Sequence, residues 1–354
     1  MSQYLIPQMP ALILAPMQGL TDAPMRALQG EIGAFTFAIS EFLRISSDVP
    51  SRRLFTRHVP ELSEAAITQT GLPVQVQLLG GHAERMARSA VVACQAGARA
   101  IDLNFGCPAP TVNKHDGGAA LLKEPKRLRE IVRAVRSALP PDIPVSAKLR
   151  LGWDSMDAIL ENADMAAEGG ADWITIHGRT RVQGYSPPAY WEPIGRVRAR
   201  LEIPVVANGD IWTVKDFCRC REETGCIHFM LGRGALANPL LSGQVAHALG
   251  LISPPIAQEF DWANLLQRFI AWNELFRGVT PRFILARVKH WLNIAGQHGN
   301  FSDFERVKRA DTIEEIFKIL DEGISRGDDL SGSGRSDPQT QEIGVKRCGN
   351  AVGN

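Results

Sequence analysis

Asp102-Leu103-Asn104-Phe105-Gly106-Cys107-Pro108 contains the unit from which the larger part of the chain is built. Ala100–Leu103 reads as the end of a short buried strand, and Asn104 stands as a polar group where that strand stops. Cys107 follows on the glycine-containing turn, so a thiol is placed at a strand's mouth. Outward from here the same unit recurs between Ala11 and about Gly250. Short apolar runs at Leu12–Ala15, Phe35–Ser40, Val74–Leu79, Ala100–Leu103, Val145–Leu149, Trp173–Ile176, Pro204–Ala207 and Ile227–Leu231 alternate with helical stretches. That alternation predicts parallel strands joined by crossover helices. Eight such units in about 240 residues is the size of an α/β (β/α)8 TIM barrel, whose active site lies at the C-terminal ends of its strands.

A doubly wound open sheet is the rival architecture, and the strand ends discriminate. In order they carry Pro16-Met17-Gln18, Glu41, Gln77, Asn104, Lys148 with Arg150, His177, Asn208-Gly209-Asp210 and Gly232-Arg233. An open sheet delivers polar groups mainly near its switch point. Eight polar strand ends favour a closed ring around one pocket.

Each of these positions also has a bland reading. Lone cysteines are commonly small buried hydrophobes; Cys94 on a helix's apolar face and Cys226 at the opening of an apolar strand fit that, whereas Cys107 has a loop context. Lys148, among barrel-facing residues, requires an anionic partner. Gln77 shares a strand face with Gln75 and reads equally as a satisfied core amide. His177 gains meaning only from the strands that converge with it. Glycine turns after the seventh and eighth strands, Asn208-Gly209-Asp210 and Gly232-Arg233-Gly234, suit a phosphate site, with Arg233 adding a charge-assisted contact. Asn113–Ala120 reads as a long polar loop with a Gly-Gly pair, a candidate catalytic flap.

The 354 residues are 45% hydrophobic and 22% charged, with a formal net charge of +1. This suits a globular chain with a large core and excludes a globally basic nucleic-acid binder, leaving regional patches open. Six cysteines without a framework spacing, and no signal peptide, point to a reducing, cytoplasmic setting. No run reaches the roughly 18 apolar residues of a membrane span, and a monomer without a metal is expected.

After Pro254-Pro255 the strand pattern ends. Residues 256–325 read as a small helical domain, with Leu265, Leu266, Phe269, Ile270 and Trp272 on one face and Phe283, Ile284, Val288, Trp291 and Leu292 on another. Arg277–His290 holds four fixed positive charges and no acid, and Arg306-Val307-Lys308-Arg309 adds three. Such charges usually mark a solvated helix face, but an acid-free stripe also suits a phosphate backbone. Residues 326–354 lack periodicity and read as a disordered tail.

With these positions assembled, the chain from Ala11 to about Lys318 resembles the tRNA-dihydrouridine synthases. The matching segments are Ala15–Asp22, Val76–Gly80, Asp102–Pro108, Lys148–Trp153, His177–Thr180, Ala207–Ile211 and Gly232–Ala235. Ser40–Arg44, Gln183–Tyr185 and Ala286–Leu292 look most like the bacterial C-type subfamily, which modifies uridine 16 of the D-loop; Phe105 departs from that pattern, where a second cysteine is expected. The resemblance implies an FMN-dependent, NADPH-driven reduction of a uridine C5=C6 bond in tRNA, with hydride delivered to C6 and a proton from Cys107 to C5. A thiol with a pKa of about 8.5 stays protonated at neutral pH and suits that role. By the same resemblance Lys148 sits by the flavin's N1 and O2, Gln77 binds its pyrimidine edge, Pro16, Met17 and Gln18 form a backing wall, and His177 lines the pocket. Asn208, Gly209, Asp210, Gly232 and Arg233 hold the ribityl phosphate. Asn104, Arg150 and Tyr185 receive the extruded base, and Arg44, Arg287, Lys289 and Lys308 contact the tRNA. Two rivals are an FMN barrel that reduces a small molecule, which leaves the helical domain unexplained, and an RNA-binding protein whose barrel is a scaffold, which leaves Lys148 and the loop thiol unexplained.

Overall fold

Eight parallel strands close into a barrel in which every strand pairs with its sequence neighbour and β8 returns to β1. They are β1 (Ala11–Leu14), β2 (Phe37–Arg44), β3 (Val74–Leu79), β4 (Ile101–Phe105), β5 (Val145–Arg150), β6 (Trp173–His177), β7 (Val205–Asn208) and β8 (His228–Leu231). The computed structural model describes residues 4–114, 117–253, 260–276, 279–298 and 301–330, with side chains described to residue 323. All eight expected runs are strands, because apolar alternation buries one face inside the ring and the other under helices.

The outer layer illustrates how sequence spacing becomes packing. The helix Pro125–Ala138 starts with proline at its first turn and buries Leu128, Ile131, Val132 and Val135. The 3–4 spacing sets them on one stripe against the barrel, each contributing about 1.5–3 kcal/mol of burial. Inside the ring the floor is apolar: Tyr4, Phe37 and Trp173 meet edge to face and pack with Ile13, Ile39, Ala100, Val206 and Met230. This plug closes the N-terminal end, so the barrel opens toward the strands' C-terminal ends.

Two strands run more than one residue past their expected ends. The register shifts between Ile39 and Phe42, and this irregularity lets β2 run to Arg44 instead of stopping at Ser40, so Glu41 lies within the strand. β4 likewise includes Asn104 and Phe105. Phe105 points outward into the core beneath the helices, away from the cavity side of its strand.

The expected flap is instead a folded segment. A short helix occupies Pro110–Asn113 and a 3-10 helix Gly118–Lys123, whose residues Gly118–Leu122 are buried; His115 and Asp116 lie outside the described residues. Gly118 has φ +59°, and a Cβ there would lie 2.9 Å from the Cys107 carbonyl oxygen. A side chain would therefore push the segment off the thiol's turn.

Beyond the barrel, the helices Trp262–Glu274 and Pro281–Gln297 begin at Asp261 and Thr280, whose side chains cap them. Leu265, Leu266, Phe269, Ile284, Val288, Trp291 and Leu292 form their shared core, which continues into Met25, Leu28, Leu236 and Ala237 of the barrel's helices. The Trp291 indole donates to the Leu236 carbonyl at 2.8 Å. The predicted linker at Pro254-Pro255 lies outside the described residues. The last helix, Ile313–Leu330, runs past the expected start of the tail at residue 326, and residues 331–354 lie outside the described residues.

Candidate active site

A cavity of about 370 Å³ opens at the C-terminal ends of the strands, within the range of ligand pockets. Pro16, Met17, Gln18, Asn104, Cys107, Lys148, Arg150, His177, Tyr185, Asn208, Gly209, Asp210, Gly232 and Arg233 all line it. Thus most of the expected cofactor and base-receiving residues converge.

Lys148 enters from β5, the Arg150 side chain from the same strand's end, and His177 from its register partner on β6. The Lys148 ammonium donates to Asn208 Oδ1 at 3.1 Å, and Asn208 Nδ2 donates to the Met230 carbonyl at 2.9 Å. Burial pushes the Lys148 pKa down to about 8, while the nearby Asp102 charge opposes the fall. His177 is held neutral by burial and by the surrounding positive charges of Arg150, Lys148, Arg179 and Arg233; its Nδ1 is buried without a protein partner.

Arg150 is buried and donates to the Gly106, Thr180 and Gly184 carbonyls. It ties the Cys107 turn to the loop bearing Tyr185 and stacks 5.2 Å from that ring. Arg233 lies between two aromatic rings, 4.9 Å from Tyr185 and 5.1 Å from Trp212, and its edge faces the Asp210 carboxylate at 4.0 Å. Asp210 is the one carboxylate among the described residues lining the cavity. It is bound to the buried Arg179, so the lining is net positive. Gly209 has φ +119°, and a Cβ would lie 3.2 Å from the His177 ring; only glycine keeps that approach open.

Cys107 is half-buried, and its thiol is raised above the ordinary range chiefly by burial. Its backbone N–H and that of Gly106 both donate to Asn104 Oδ1 at 2.9 Å. The Cys107 carbonyl accepts from the Ala119 N–H at 3.1 Å and from Asn113 at 3.3 Å. The turn is pinned from both sides, so the thiol is presented by a rigid support.

Other expected contacts lie outside the cavity lining. Gln77 is fully buried outside the cavity lining, its amide joined to Asp102 and Asn104. Arg44 is exposed at the end of β2 and donates to the Thr111 carbonyl at 3.3 Å, away from the cavity lining. Arg287 is no surface cation: it is buried, pairs with Asp22 at 2.7 Å and donates to the carbonyls of Gly19 and Leu20. Its burial follows from the docking of the helical domain on the β1 loop. Lys289, half-buried, donates to the Lys308 carbonyl at 3.0 Å, and the exposed Lys308 pairs with Glu305. Arg277 lies outside the described residues.

Three residues went unassigned in the sequence. His290 of Pro281–Gln297 and Trp212 after β7 line the cavity, and Asp102 is a fully buried carboxylate behind it. Asp102 stands in the quoted motif and was legible as a charge in a strand, whereas His290 carried only a helix period.

The family model described as "Dihydrouridine synthase (Dus)" matches residues 13–272. The chain belongs to the dihydrouridine synthase family. It is 45% identical over 314 residues to a protein of Pseudomonas putida named tRNA-dihydrouridine(16) synthase, covering 87% of this chain and 96% of that one. A protein of the same name from Neisseria meningitidis serogroup B is 42% identical, covering 88% of this chain and 94% of its own length. Both matches are long enough to reach into the helices that follow the barrel. Among solved structures, histamine dehydrogenase from Rhizobium sp. 4-9 matches with a TM-score of 0.54 and 13% identity, covering 76% of this chain and 49% of that one; this likeness shows the barrel fold alone. None of the described helices is long and apolar enough to cross a membrane.

Proposed function

We propose that this protein reduces the C5=C6 bond of uridine 16 in the tRNA D-loop, using FMN and NADPH, with Cys107 as proton donor. The observation that carries the reading is the convergence of a thiol, a lysine and a cationic pair in one cavity: Cys107, Lys148, Arg150 and Arg233 all line it. The chain's relatives of the same name support the substrate.

The lining fits a flavin mononucleotide. Lys148 and the unpartnered His177 Nδ1 offer polar contacts to a ring edge, Pro16–Gln18 an apolar wall, and Gly209, Gly232 and Arg233 a cradle for a phosphate. FMN held by these residues and reduced by NADPH would supply the hydride for C6. Lys148, held by Asn208, places a positive charge where negative charge develops. Cys107 keeps its proton because burial opposes the thiolate, and it delivers that proton to C5. Arg150 and Tyr185 offer a stacked cation and ring beside the incoming base.

The test is nucleoside mass spectrometry of tRNA from cells lacking the protein, with the lost dihydrouridine mapped by position. Loss at position 16, restored by the wild type and not by Cys107→Ala, is expected. In vitro, Cys107→Ala should retain FMN and tRNA binding while turnover falls by about 10²-fold or more; undiminished turnover removes Cys107 from the proton transfer.

A further inference from the structure

Behind the cavity lies a set of fully buried polar side chains that stand outside its lining. Gln75 and Gln77 stand on β3, Asp102 on β4 and Ser146 on β5. Gln77, Asp102 and Ser146 are register partners across three adjacent strands, so they share one layer of the barrel interior. Both oxygens of the Asp102 carboxylate accept. Ser146 Oγ donates to Oδ1 and itself accepts from Gln75 Nε2 at 2.9 Å. Gln77 Nε2 donates to Oδ2 at 2.7 Å. Gln77 Oε1 then accepts from Asn104 Nδ2 at 2.9 Å, and Asn104 Oδ1 accepts the N–H groups of Gly106 and Cys107.

Direction is the informative property of this chain. Backbone N–H groups only donate, so Asn104 must turn its oxygen to the thiol's turn and its nitrogen to Gln77. Gln77 must then turn its own nitrogen toward β4, where only an acceptor fits. Reversing either amide would set nitrogen against nitrogen in a buried layer, leaving groups unsatisfied at about 1–3 kcal/mol each. An acceptor at the end of the chain thus selects one orientation for every member before it.

We propose that Asp102 is a positioning residue for Cys107, acting through Gln77 and Asn104 to fix the turn that presents the thiol. The proposal rests on the reading of Cys107 as proton donor. Burial raises the Asp102 pKa, opposed by the hydrogen bonds from Ser146 and Gln77 and by the Lys148 charge, and both of its oxygens accept in this arrangement. Hydrogen bonds arranged head to tail strengthen one another in such surroundings.

The experiment compares full-length wild type, Asp102→Asn, Asp102→Ala and Gln77→Met. It reads site-resolved iodoacetamide alkylation of Cys107 and of Cys94 by peptide mass spectrometry, together with kcat and KM for tRNA. Asp102→Asn keeps an oxygen for Gln77 and should leave Cys107 alkylation within about threefold of wild type, while its kcat also answers to the lost charge near Lys148. Asp102→Ala and Gln77→Met should change the Cys107 alkylation rate by about fivefold, the scale of one lost hydrogen bond, with Cys94 unmoved. They should lower kcat by about 10²-fold through misplacement of the donor while KM for tRNA holds. Wild-type alkylation of Cys107 in Gln77→Met overturns the proposal, as does an Asp102→Asn variant whose Cys107 alkylation is changed as much as in Asp102→Ala, which would make charge rather than direction the function. Should Asp102→Ala not fold, Gln77→Met decides, because it leaves Asp102 and its Ser146 bond in place. Alkylation needs neither RNA nor cofactor, so a wild type that forms no dihydrouridine would refute the reaction while this arm still judges the positioning.

Discussion

The two walls of the barrel interior are built on opposite principles. β1, β2 and β8 contribute Ile13, Phe37, Ile39 and Met230 to an apolar cluster. β3 to β7 contribute Gln77, Asp102, Asn104, Ser146, Lys148, His177 and Asn208, buried or nearly so. The apolar wall is held by shape and area alone, so its members answer to volume. The polar wall is held by donor and acceptor direction between neighbouring strands, so its members answer to identity. One wall gives the ring its rigidity, and the other gives it chemistry.

The comparison can be broken from either side. Phe37→Ala removes a fully buried ring between Tyr4 and Trp173 and should lower stability by about 3–5 kcal/mol in denaturant unfolding. The folded fraction should still bind flavin with wild-type affinity, because the apolar wall's role is volume. Lys148→Met, nearly matched in size, tests the other wall. Single-turnover reduction of tRNA should fall by about 10²-fold, and stability should fall as well, because Asp102 and the Asn208 oxygen lose the buried cation beside them. A Lys148→Met variant that keeps its rate would place the needed charge elsewhere.

The smallest effect concerns pH. Lys148 is lowered to about 8, so its charge is present below that pH and is lost as pH rises through it. Cys107 is raised above the ordinary thiol range, so its proton remains over the same interval. Turnover should therefore decline above pH 8 because of the lysine, and Lys148→Arg, which stays charged, should move the decline to higher pH. A decline unmoved by that substitution would assign the limb to another group.

The ring itself was legible because each strand carries its own signature of apolar residues followed by a polar end, a local property. The cavity lining was legible for the same reason. The polar layer behind it was not: Gln77 pairs with Asp102 from 25 residues away and Gln75 with Ser146 from 71 away, and nothing in either segment announces its partner. The helical domain misled in the opposite sense. Arg287 and Lys289 stand two residues apart in one acid-free stripe, yet docking on the barrel buries the first against Asp22 and leaves the second only half-buried, against the Lys308 carbonyl. Charge pattern alone does not distinguish a guanidinium that faces solvent from one that faces another domain. The continuation of Ile313–Leu330 past residue 326 was hidden by a polar composition that suits a solvated helix as well as a tail.

Arg287 has one further consequence. Its guanidinium grips Gly19, Leu20 and Asp22, and the Gly19 N–H donates to Glu41 on the other side, so the loop after β1 is clamped between a strand and the second domain. That loop supplies Pro16, Met17 and Gln18 to the cavity. By thermodynamic linkage, whatever free energy a cavity ligand gives to ordering this loop is shared with the docking of the helical domain, and the reverse holds equally. The two parts of the chain are therefore joined as a reciprocal pair, each serving as an effector of the other.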